Sequence, residues 1–62
     1  MADDEGLRAR AEARLADDLD FQQQVQRHLD RDIWALGRLL IGAEREQRRR
    51  EIAVDLQRAA EA

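Results

Sequence analysis

From Phe21 onward, apolar residues recur at the spacing of one helix face: Val25, Leu29, Ile33, Leu36, Leu39, Leu40 and Ala43. At 100° per residue they fall within about 60° on either side of Leu36, wide enough for a buried stripe. Nothing around them competes with helix. The 62 residues contain no Pro, Ser, Thr, Asn, Lys, Tyr or Cys, and three Gly are the only strong helix breakers. The fold class that follows is all-α.

The same spacing divides the chain, a single small domain over 1–62, into segments. The stretch "DDEGLRARAEARLA" opens on acids, which suit the positive end of the helix dipole, and then places Leu7, Ala11 and Leu15 four apart. This predicts a short N-terminal helical segment over 3–18 with a thin, Ala-rich apolar stripe. Asp17, Asp18 and Asp20 then compete for backbone hydrogen bonds, and Asp20 with Gln23 fits a capping box, so a kink or short break is expected before a new helix near Phe21. An unbroken helix through this point is the alternative.

The main amphipathic helix is expected over 20–41. Trp34 and Ile41 lie off its stripe, about 140–160° from Leu36. Beyond Gly42 the stripe continues onto Gln47, Arg50 and Glu51, while Ile52, Leu56, Ala59 and Ala60 fall on the Trp34 side. A straight rod cannot collect both stripes in one core, so a chain reversal near Gly42 is favoured, with Gly in the left-handed position past a helix end. A long helix bent at Gly42 is the alternative, because "GAEREQ" offers no side chain to cap a new helix. Gly37, inside the apolar run, reads as a point of close helix approach. A charged C-terminal helix is expected over 43–60, supported by Glu44–Arg48, Glu46–Arg50 and Asp55–Arg58 pairs one turn apart.

A chain of this size buries little surface by itself. With no Cys, neither a disulfide nor a thiolate zinc site can staple it, and oligomerisation is the remaining route. The expected architecture is therefore a helical hairpin, two main helices plus the short N-terminal one, dimerising with coiled-coil-like packing into a four-helix bundle. Leu29, Ile33, Leu36 and Leu40 would form its main layer against the partner chain, extended by Val25 and Leu39. Trp34, Ile41, Ile52 and Leu56 would close a second layer as the chain returns. On this reading Leu36→Asp abolishes both the oligomer and cooperative unfolding.

Chemistry is narrowly bounded. Ser, Thr, Cys, Lys and Tyr are absent, which removes the usual covalent nucleophiles. Asp17, Asp18, Asp20, Asp30 and Asp32 sit in polar stretches beside Arg or Gln and read as solvated or capping groups. "DDLD" and "DRD" lack the Gly and Glu that complete a calcium loop. His28 with Asp32 supplies two ligands at most, short of a metal site, and reads as a surface pair. No enzyme activity, cofactor or metal is expected.

Net charge is −3, and the apolar run falls far short of the ~20 residues a membrane span needs. Met-Ala-Asp-Asp-Glu has no signal-peptide character, so a cytoplasmic protein is the expectation. An interfacial membrane helix is a weaker fit, because "HLDRD" upstream is rich in acid. The best nucleic-acid feature is Arg45, Arg48, Arg49 and Arg50, although acids interleave with them and no aromatic side chain accompanies them. Three readings follow. The leading one is a non-enzymatic interaction or oligomerisation module, a homodimer serving as adaptor or regulatory protein. The alternatives are a small dimeric nucleic-acid-binding regulator using the four Arg, and an inhibitor or adaptor docking its Trp34 face on a larger protein.

Overall fold

The computed structural model describes residues 4–37 and 40–62, and these form three helices with no strand among them. They are α1 (Asp4–Asp17), α2 (Leu19–Leu36) and α3 (Gly42–Glu61). The break after α1 is real but tight. Asp18 has extended backbone (φ −101°, ψ 106°), and its carboxylate accepts from the Phe21 backbone N–H at 3.1 Å, satisfying one of the donors left open at the start of α2. The cap is thus Asp18, two residues before the expected Asp20, because Asp18 is the residue that leaves helical geometry.

α2 also ends earlier than position 41. Gly37 takes a left-handed conformation (φ 67°), and its N–H bonds back to the Ile33 and Trp34 carbonyls, each at 3.2 Å. A Cβ at Gly37 would meet nothing within 4 Å, so no other helix approaches there. The glycine is a helix terminator, and the reading of close helix approach is corrected. Gly42 also has positive φ (59°) and opens α3, whose first turn has no side-chain cap. α2 and α3 are therefore separate helices, with a left-handed glycine at the end of the first and at the start of the second.

α1 is a full member of the bundle. Arg10 meets Glu61 and Arg14 meets Gln57, so α1 runs antiparallel to α3, one turn of each matching one turn of the other. Arg48 meets Asp32 across the α2–α3 hairpin, again antiparallel. α3 is the helix shared by both pairings, and the expected hairpin is a three-helix bundle. The buried side chains are Leu7, Ala11 and Leu15 of α1, Phe21, Val25 and Leu29 of α2, Leu40 of the connection, and Ile52 and Ala53 of α3. Ile33, Val54 and Leu56 pack against this core from its edge. Leu40 is outside any helix and still buried, a member of the same core cluster as Leu29 and Ile52.

Candidate interaction surface

Arg14 shows how the core is closed at one end. Its Nε donates to Asp18 Oδ2 and its Nη1 to Gln57 Oε1, both at 3.2 Å, while its guanidinium carbon lies 4.5 Å from the centre of the Phe21 ring. One side chain thus touches the cap of α2, the largest core residue and α3. The Asp18 carboxyl is held below its ordinary range, first by the Phe21 N–H and then by Arg14. Arg10 Nε and Nη2 form a two-pronged pair with Glu61 at 2.7 Å each. These contacts between α1 and its neighbours escaped sequence reasoning, since pairing across 43 or 51 positions leaves no local pattern.

The opposite end of the molecule is left uncovered. Trp34 is 86% exposed, Ile41 69% and Leu36 60%, all around the end of α2 and the reversal that follows it. Leu19, at the start of α2, is 65% exposed. The single Trp of the chain is consequently the most exposed large apolar side chain among the described residues. The two apolar faces of the 33–41 stretch therefore sit differently from expectation. Val25 and Leu29 are covered by α1 and α3 of the same chain, Ile33 is half-buried, and Leu36 projects outward where the helix ends. Ile52 and Leu56 return onto the Val25–Leu29 side, leaving the Trp34 side open. Leu39, also expected in the interface, lies outside the described residues.

The arginines are partly committed. Arg48 Nε donates to Asp32 Oδ2 at 2.7 Å and its Nη1 to Glu51 Oε2 at 3.1 Å, and these carboxylates raise its pKa above the ordinary value. Arg49 bonds to Glu46 at 3.3 Å. Arg45 and Arg50 are exposed. Of the expected helix pairs, Asp55–Arg58 forms, at 3.1 Å. Arg48 reaches across to α2, and its partner there is the Asp32 that the sequence pattern pairs with His28. Among the described residues no three His, Asp or Glu side chains gather to hold a metal ion.

A groove runs between α1 and α3. Its floor is Ala11, Leu15, Ala53 and Val54, and its rim alternates sign: Arg8, Glu12, Glu46, Arg50, Asp55, Arg58. A rim of mixed charge over a shallow apolar floor offers no focused field for an anionic or cationic ligand. No helix among the described residues is long and apolar enough to cross a membrane. Comparison with known proteins found no matching family model, curated protein or solved structure.

Proposed function

We propose that the protein is a non-enzymatic helical interaction module that self-associates as a homodimer through the uncovered side of α2. The observation that carries this reading is the exposure of Trp34, reinforced by Leu19 on the same side of α2 and by Ile41 just before α3. Burying one such side chain is worth about 1.5–3 kcal/mol, and at these three positions a single chain leaves that free energy unused. Large apolar side chains left exposed at both ends of one helix side, on a chain that is 40% charged, mark a contact site rather than a random exposure. Trp is also the residue type most enriched where binding energy concentrates. The layout differs from two hairpins sharing one core, because α1 already completes the core of each chain. Two three-helix units joined by an outer helix face fit the burial pattern better.

The nucleic-acid alternative has less support, since Arg48 and Arg49 are turned onto carboxylates and the net charge is −3. The test is a light-scattering mass at micromolar concentration. Twice the 7.2 kDa chain mass is expected, falling to one chain for Trp34→Ala with helical circular dichroism retained. A single-chain mass for the unmodified protein overturns the dimer and returns Trp34 to a docking role on a larger partner.

A further inference from the structure

On the outward side of α2, Arg27, Asp30, Arg31 and Trp34 follow one another at i, i+3, i+4 and i+7, and all four are exposed. At 100° per residue they lie within about 60° of Trp34, whereas Val25 and Leu29, buried in the core, lie about 140–180° away. The spacing is symmetric about the midpoint between Asp30 and Arg31. A second α2 laid antiparallel about that midpoint sets position 30 against 31 and position 27 against 34. Asp30 then faces the partner's Arg31, and Arg27 faces the partner's Trp34, each contact made twice by the two-fold axis. The first is an ion pair. The second is a guanidinium on an indole, the strongest of the cation–aromatic pairings.

We infer that a second copy of this chain occupies the outer face of α2 in this antiparallel register. The inference rests on the proposed self-association and adds its geometry. Three observations support it beyond the exposed Trp. A parallel pairing would set like charge on like charge at positions 27, 30 and 31. Sliding the antiparallel pair by one turn one way would move Trp34 off Arg27 and onto Gln23, and sliding it the other way would set Trp34 on Arg31 but leave Asp30 facing Ala35, with no ion pair. The register also brings exposed Leu19 at the start of one α2 beside the reversal that carries exposed Ile41 in the other, so the apolar residues at opposite ends of each helix cover one another. Asp30 Oδ1 accepts from Gln26 Nε2 at 2.8 Å within its own helix, which holds the carboxylate in place and leaves its second oxygen for the partner's arginine.

Sedimentation equilibrium on charge-reversed chains tests the register, with circular dichroism showing that each variant keeps its helices. Asp30→Arg and Arg31→Asp each place like charges face to face twice. Each should weaken self-association on the order of 100-fold. Mixed together, the two variants present Arg at 30 and 31 against Asp at 30 and 31, and should form a heterodimer with an affinity like that of the unmodified protein. If the unmodified protein is dimeric while either single variant keeps its affinity, or the mixture fails to pair, the register is overturned and self-association stands. A monomeric unmodified protein overturns both.

Discussion

At position 37 the absence of a side chain decides where α2 stops. The left-handed backbone there is strained for any residue with a Cβ, while the space around it is open, so the cost of substitution comes from φ alone. Gly37→Ala should lower the unfolding free energy by about 1–2 kcal/mol, and Gly37→Asn by less, because Asn tolerates this conformation better. Urea unfolding of the two variants checks the order. Asn as costly as Ala would point to a steric conflict in place of a backbone one. Glu61 offers a second residue-scale test. Its carboxyl is pulled from the ordinary 4.5 to about 2, first by the hydrogen bond from Arg10 and then by that from Gln57. A carboxyl depressed in the folded state favours folding above its unfolded value and loses that contribution as pH falls through 4.5 toward about 2. Glu61→Gln should therefore have a lower melting temperature than the unmodified protein at neutral pH, and the gap should close as pH falls through that window. A gap that persists unchanged down to pH 2 would mean that the Arg10 pair contributes nothing.

Among the elements, α2 shows what periodicity reveals and where it fails. Val25 and Leu29 are fully buried, as the 3.6-residue pattern requires, but Leu36, on the same stripe, is exposed, because Gly37 ends the helix before the core reaches it. Periodicity identifies a face without saying how far along it the partners extend. Leu29→Ala should cost about 2–5 kcal/mol, a large share of the roughly 3–9 kcal/mol available to a chain of this length. Leu36→Ala, and even Leu36→Asp, should stay within about 0.5 kcal/mol of the unmodified fold. Equal losses at the two positions in denaturant unfolding would contradict the burial pattern. α1 was the least legible element. Its Leu7, Ala11 and Leu15 read as a thin stripe on an accessory helix, yet all three are buried against the rest of the bundle. Small side chains let helices approach closely, so a thin stripe can mark a tight contact as readily as a weak one. Deleting residues 1–17 should uncover Phe21 and abolish the cooperative thermal transition seen by circular dichroism. A truncated chain that melts at the unchanged temperature would make α1 the accessory its sequence implied.

At the scale of the whole molecule, the charge arrangement and the apolar arrangement point in different directions. Ion pairs tie α1 to α3 and α2 to α3, and the core closes within one chain, while the outer side of α2 keeps its Trp, its charges and its exposed Leu19 turned outward. The sequence made the apolar 33–41 stretch conspicuous, and two faces on it were readable from spacing alone. Which face the chain covers itself depended on how α1 and α3 pack onto α2, which has no local signature. The single Trp turns this into a direct measurement, since its emission reports water at the proposed contact. Emission recorded through a dilution series should move from a shorter, shielded wavelength at micromolar concentration to a longer, water-exposed one as dimers separate, in step with the fall in mass. A long-wavelength spectrum unchanged across the whole series would contradict self-association through Trp34.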